Sequence, residues 1–249
     1  MSIRFASASD CAAMLAIYAP YIETTITFEQ EVPSQQEFAA RLETVQQEYP
    51  WIVWEEDGKI LGYAYAHKFA ERISYRPSAE LSVYLDRAAR GRGIGKKLYR
   101  ALFAIGQLQN VKSVYGIVTS PNERSEAMHL AMGFTRVSTL KNVGYKDGWR
   151  DVSWFCKQIG AYAEPFTPFR PIGQLDPAQL EAVLRAELEL NAQRRVAVLE
   201  PVKLIIDNYP ADQCEYFDLP NNPNRDANDT TTRKVAFTKE LWIENEDFA

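Results

Sequence analysis

Cysteine is scarce in this sequence, basic residues are in deficit, and long apolar runs are missing. Cys11, Cys156 and Cys214 are the only three cysteines in 249 residues. An odd number, so widely spaced, gives neither a disulfide framework nor a zinc site. No apolar run approaches the roughly 18 residues that a membrane span needs. The opening MSIRFASASD lacks the apolar core of a signal peptide. The expected setting is a reducing cytoplasm. Without export, the sequon Asn228-Asp229-Thr230 carries no meaning. A net charge of −5 excludes a general nucleic-acid binder. Repeats and heptads are absent. What is present suits a packed globule: 46% hydrophobic, 12% aromatic and 24% charged residues.

Two parts emerge along the chain. In the first, IRFA (3–6) reads as a strand, and Ser9 as the cap of a helix with Ala13, Ile17 and Tyr21 on one side. Ser34 and Glu37 form a capping box that opens a second helix to about Glu48. WIVWEE (51–56) and KILGYAYAHKF (59–69) read as strands joined by the hairpin turn Asp57-Gly58. AELSVYL (79–85) is a further strand, Gly91 to Gly106 a helix, SVYGIV (113–118) a strand and 123–132 a short helix. Residues 134–140 and 149–156 close the pattern as a strand pair. The expected fold is α+β, layered α/β/α, around a mixed and mostly antiparallel sheet.

The segment 164–175 reads as a proline-rich linker. Asp176-Pro177 then opens a helix with Leu180, Val183, Leu184 and Leu188 on one side. AVLEPVKLIID (197–207) and VAFTKELWI (235–243) read as strands, with a polar loop at 219–232 between them. The expected units are therefore 1–163 and 176–249. Residues 174–249 hold 8 Lys/Arg against 15 Asp/Glu, a net of −7.

The stretch RGRGIGKKL (90–98) concentrates glycine and positive charge directly after a strand. Gly91, Gly93 and Gly95 stand two apart, which fails the G-x-G-x-x-G spacing of a dinucleotide loop. Lys97 stands where an ATP loop needs a hydroxyl. The pattern R-x-x-G-x-G is met by Arg90, Gly93 and Gly95. There glycines admit a ligand close to the backbone, and the first N–H groups of a helix point at a pyrophosphate. Arg90, Arg92 and Lys96 add charge. The bland reading is a basic turn at the start of a surface helix.

This loop resembles the acetyl-CoA pyrophosphate loop of the GNAT acetyltransferases. Thr24-Thr25-Ile26-Thr27-Phe28-Glu29, ELSVYL, Asn122-Glu-Arg-Ser125, His129-LAMGF and Gly144-Tyr-Lys-Asp-Gly-Trp149-Arg-Asp151 are together similar to the phosphinothricin acetyltransferase group. That group often has E-H-S-V-Y-V where this chain has Glu80-Leu81-Ser82-Val83-Tyr84-Leu85. The resemblance covers about 1–165. It implies acetyl-CoA as co-substrate, no metal, a small amino-acid-like amine as acceptor and a homodimer.

The chemistry needs a neutral amine, a stabilised oxyanion and a protonated leaving thiolate. Glu80 is the candidate base, through water, against a plain salt bridge to Arg72 or Arg76. The resemblance places the thioester oxygen at the N–H of Val83 or Leu85, where the strand splays from its neighbour. Val83, Tyr84, Leu85, Arg90, Gly91, Arg92, Gly93, Ile94, Gly95, Lys96, Asn122 and Ser125 are the implied cofactor contacts. His129, where many relatives have a tyrosine, is the candidate acid for the thiolate, against a capping or core role. His67 reads as a surface residue. Phe28, Glu29, Arg72, Tyr75 and Arg76 are the acceptor candidates, an arginine suiting a substrate carboxylate. A wider groove would instead admit protein N-termini.

The tail, about 175–249, resembles the start of the anticodon-binding β-barrel of glutaminyl-tRNA synthetase. Pro220-Asn-Asn-Pro223-Asn224 carries that family's P-N-H-P-N run, with Asn222 at the His position. The catalytic signatures of a synthetase are absent, so no aminoacylation is expected. A net of −7 suits tRNA poorly, since phosphate contacts need Lys and Arg. The tail is therefore expected to be a structural or interaction module, the alternative being a tRNA or synthetase contact.

Overall fold

The computed structural model describes residues 1–189, 215–217 and 235–237. The chain divides into two compact units, Met1–Glu189 and Leu190–Ala249. In chain order the first unit comprises β1 (Ser2–Phe5), α1 (Cys11–Ile22), α2 (Gln35–Gln46), β2 (Trp51–Glu56), β3 (Lys59–Lys68) and β4 (Ser78–Leu85). It continues with α3 (Ile94–Leu108), β5 (Ser113–Ser120), α4 (Glu123–Ala131), β6 (Thr135–Tyr145) and β7 (Trp149–Gln158). A last helix, α5, covers residues 177–189. The seven strands form one sheet in the order β1-β2-β3-β4-β5-β7-β6. Every pairing is antiparallel except β4 with β5.

Local sequence sets much of this. Glu37 N–H donates to the Ser34 hydroxyl (3.2 Å) while Ser34 N–H donates to the Glu37 carboxylate (2.7 Å), closing the expected box at α2. Asp57 and Gly58 both adopt positive φ, 49° and 75°, the geometry of a tight β2–β3 turn. The first helix starts differently from expectation. Ser7, not Ser9, precedes the opening turn, and its N–H donates to Asp10 (2.7 Å). Asp10 is also held by Arg4 at 2.7 and 2.8 Å, and this charge pairing fixes the start.

Helices α3 and α5 bury their apolar sides in the main core, with Leu98, Leu102, Ile105, Leu180 and Leu184 enclosed. Helices α1 and α2 close a second core around Met14, Phe38, Trp51 and Tyr63. The expected linker is packed rather than free. Gln109, fully buried, donates to Glu48 O (2.7 Å) and Arg170 O (3.1 Å). Asn110 donates to Pro168 O (2.8 Å), Leu175 is buried in the main core, and Arg100 pairs with Glu187 at 2.8 Å. The compact unit therefore extends past the expected boundary at 163 to Glu189. In the second unit, β8 (Glu215–Phe217) and β9 (Val235–Phe237) pair antiparallel. The expected strand at 197–207 and loop at 219–232 lie outside the described residues.

Candidate active site

Strand β4 organises the site. Its pairing with β5 stops at Glu80↔Tyr115, although β4 runs on to Leu85 and β5 to Ser120. The two strands part there and leave a fork in the sheet. Alternation along β4 sends Ala79, Leu81, Val83 and Leu85 to the α3 face, and Glu80, Ser82 and Tyr84 to the α1–α2 face. The N–H groups alternate too. Asp86 N–H donates toward β3 (2.9 Å to Leu61 O), so those of Val83 and Leu85 point into the fork. Leu85 N–H is taken, donating to the Tyr21 hydroxyl at 3.0 Å. That hydroxyl in turn donates to Leu85 O at 2.7 Å. Of the two expected oxyanion donors, the geometry thus leaves Val83.

The glycine loop sits at one end of the fork. Gly91 and Gly93 hold φ of 77° and 73°, and α3 begins at Ile94. Left-handed residues at such spacing curl successive N–H groups into an anion-binding hollow. The N–H groups of Ile94 and Gly95 extend it, since a first helical turn has no internal acceptors. A Cβ on Gly91 or Gly93 would meet nothing within 4 Å, so no other side chain crowds these two glycines. Gly95 lies against Val83 and Leu85, a Cβ there standing 3.8 and 3.5 Å from their side chains. The loop arginines are partly committed. Arg92 forks onto Glu56 at 2.6 and 2.8 Å, and the Arg90 guanidinium lies 4.9 Å over the Tyr21 ring. Tyr84 packs edge-on to Tyr18 and Tyr21 at 4.8 and 5.2 Å, so its ring joins the α1 layer, and its backbone pairs with Tyr63 of β3 rather than facing the fork.

Asn122 caps α4 by accepting from Ser125 N–H at 3.3 Å. His129 departs from its expected role. Its ring is 3% exposed and stacks on Phe155 (5.2 Å) beside Phe134 (5.0 Å). Its Nδ1–H donates to Ser125 O at 2.7 Å, leaving only a lone pair at Nε2, 3.4 Å from the Tyr99 hydroxyl. Burial pushes this imidazole below its usual range, which keeps it neutral. A neutral ring with its one N–H already bonded is a poor acid for a thiolate. Gly116 is required beneath it, because a Cβ there would stand 2.1 Å from Nε2.

On the α1–α2 face, Glu80 lies directly opposite His67, with Nε2 and Oε1 3.6 Å apart. Neither Arg72 nor Arg76 is its partner here. Arg76 pairs with Glu48 at 2.5 Å and lies over Phe169 at 5.5 Å, which turns it toward the 164–175 segment and away from the acceptor side. Arg72 and Tyr75 stay exposed in the loop before β4. Glu29 pairs with Arg41, and one oxygen of its carboxylate is buried without a hydrogen-bond partner. The α1–α2 loop that carries Phe28 and Glu29 is pinned by Lys146. That buried ammonium donates to Ile22 O (2.5 Å), Thr27 O (3.0 Å) and Glu29 O (2.5 Å). Phe28 rests on Gly144, where a Cβ would stand 2.3 Å from the ring. The Gly144–Lys146 run is visible in the sequence, but its carbonyl targets more than 115 residues away are not.

The GNAT acetyltransferase domain model matches residues 3–154. The chain belongs to the GNAT acetyltransferase family. It is 37% identical over 177 residues to the phosphinothricin N-acetyltransferase of Streptomyces viridochromogenes, covering 70% of this chain and 96% of that protein. A GNAT phosphinothricin acetyltransferase from Sinorhizobium meliloti, solved with acetyl-CoA, superposes with a TM-score of 0.63 at 32% identity. That match covers 68% of this chain and 93% of the solved one. As a member of that family, the enzyme is an N-acetyltransferase. A second model, the anticodon-binding domain of class I tRNA synthetases for Glu and Gln, matches residues 192–249. The glutamine–tRNA ligase of Idiomarina loihiensis is 38% identical over 112 residues, but this spans 45% of the chain and 18% of the ligase. Among the described residues no helix is long and apolar enough to cross a membrane, and no acidic, His or Cys cluster could hold a metal.

Proposed function

We propose that the chain transfers acetyl from acetyl-CoA to the α-amine of a small amino-acid-like acceptor of the phosphinothricin, methionine sulfone or methionine sulfoximine type. The observation that carries this reading is the fork. Glu80 faces the α1–α2 side and the glycine loop lies on the α3 side. Donor and acceptor therefore approach from opposite faces and meet at Val83. The hollow at Gly91–Gly95 holds the pyrophosphate, with the helix dipole behind it. Asn122 and Ser125 border the pantetheine arm. Val83 N–H receives the carbonyl oxygen as it becomes an oxyanion. Glu80 takes a proton from the acceptor ammonium through water, freeing the lone pair that attacks the thioester. Phe28 and Glu29, on the loop pinned by Lys146, with Arg72 and Tyr75, frame the acceptor. The relatives named for phosphinothricin support the substrate class. The acetyltransferase unit ends at Glu189 on this reading, and a synthetase-like structural segment follows.

Purified protein, acetyl-CoA and a panel of amino-acid sulfones, phosphinothricin, polyamines and peptides test the reading through thiol release. The expected result is turnover with an amino-acid analogue, lowered at least a hundredfold in Glu80→Gln with little change in the KM for acetyl-CoA. Turnover only with peptide N-termini would replace the small acceptor by a protein.

A further inference from the structure

We propose that His67 is a positioning residue for Glu80 and the acceptor of the proton that Glu80 removes. This rests on Glu80 being the base. His67 and Glu80 are direct cross-strand partners on one face of β3 and β4. Partners at such a position keep their side chains side by side. The His67 Nδ1 lies 3.0 Å from Lys68 O. A carbonyl only accepts, so Nδ1 carries a hydrogen, and in the neutral ring Nε2 then presents its lone pair toward Glu80 Oε1, 3.6 Å away. That geometry is poor for two groups without a proton between them. It suits the moment when Glu80 has just been protonated.

The proton count of the reaction requires such an exit. An acceptor ammonium carries three N–H bonds. The amide keeps one, the CoA thiolate takes one to become a thiol, and one proton must leave. It passes from nitrogen to the bridging water and the Glu80 carboxylate, then as the carboxyl proton to His67 Nε2. From there solvent removes it, since the His67 side chain is 31% exposed and that of Glu80 only 22%. The other titratable groups around Glu80 do not compete. Tyr65 on β3, Tyr115 on β5 and Tyr99 on α3 are its phenolic neighbours. Burial raises all three, so they stay protonated at neutral pH. Glu29 and Arg41 act on Tyr65 from the α1–α2 side and are paired to each other. Lys68 is paired with Glu71 at 2.6 Å. A histidine is the side chain able to accept and release a proton near neutrality.

The test uses the full chain, acetyl-CoA and methionine sulfone. His67→Ala should lower kcat about tenfold while the KM for acetyl-CoA stays unchanged, as expected for a lost proton path. Added imidazole should restore most of that loss, which it cannot do for a packing defect. In the Glu80→Gln background, His67→Ala should cost nothing further, because the two act as one unit. A wild-type rate in His67→Ala, a loss that imidazole leaves untouched, or additive losses in the double variant would each overturn the proposal. These outcomes are separable from failure of the base assignment. If Glu80→Gln keeps the wild-type rate, or no amino-acid acceptor turns over, the base reading fails and the relay falls with it. If Glu80→Gln is impaired and His67→Ala is not, the relay alone fails.

Discussion

An imidazole enclosed by Tyr99, Phe134 and Phe155 loses the water that would stabilise its charge, and at His129 this decides its role. The same residue type at His67 is a third exposed and faces a carboxylate. Sequence alone does not separate them, because each lies in a partly apolar stretch. Replacing His129 by Ala removes a ring held by these three aromatic neighbours and should cost about 3 kcal/mol of folding stability, as for other buried rings. The pH dependence has a definite sign. The folded imidazole is pushed below its ordinary value, so the unfolded chain binds the extra proton first. Stability from this site is complete above the unfolded value of about 6.5 and falls as pH drops below it. Denaturant unfolding at about pH 7.5 and 5.5 checks this: the wild type loses stability between the two, and His129→Ala lacks that part of the loss. Unchanged stability with lost turnover would return His129 to the chemistry.

Among the elements, the turn from β4 into α3 was the most legible in sequence, because glycines with left-handed φ and a helix start are local features. The same holds for the Ser34–Glu37 box and the Asp57-Gly58 turn. What was not legible depends on residues distant in sequence. Tyr21 reaches 64 residues along the chain to fill the hydrogen-bonding groups of Leu85, which removes an expected oxyanion donor. Arg76 is drawn off by Glu48, and the His67–Glu80 match exists only once the β3–β4 register is set. For the loop itself, Gly93→Ala is the informative change. Its φ of 73° costs an L-residue about 1–2 kcal/mol, although no atom blocks the new methyl. The strain falls on the N–H groups assigned to the pyrophosphate. The KM for acetyl-CoA should rise about tenfold, with kcat at saturation held within about twofold. Steady-state kinetics at varied acetyl-CoA measure both, and a kcat loss at constant KM would move the pyrophosphate elsewhere.

At the scale of the whole molecule, prolines misled the division of the chain. Proline supplies no N–H and presets an extended backbone. A proline-rich segment therefore reads as a linker, whether it hangs free or lies flat on a core. Here it lies flat: Ile172 N–H donates to Glu48 O at 2.9 Å and Arg170 N–H to Gln109 O at 2.9 Å. Buried Leu175, Leu180 and Leu184 then follow, with Arg100–Glu187 at the far end. The boundary at Glu189 also falls just before the synthetase domain model, which begins at 192, although the 112-residue match to the ligase is too long to start there and reaches back across it. Two truncations separate the possibilities. Each buried leucine contributes roughly 1.5–3 kcal/mol, so three are worth about 5–9 kcal/mol. That is comparable with the whole stability of an ordinary domain, about 5–15 kcal/mol. A chain ending at 163 should therefore fail to fold, or melt far below the full chain, with Leu98 and Ile105 uncovered. A chain ending at 189 should keep the wild-type turnover with acetyl-CoA and a single cooperative melt. Thermal unfolding and thiol-release kinetics on both give the answer. Equal stability of the two would make 164–189 a linker and helix that the acetyltransferase does not need. Loss of activity in the 189-residue chain would instead give the synthetase-like segment a part in the enzyme.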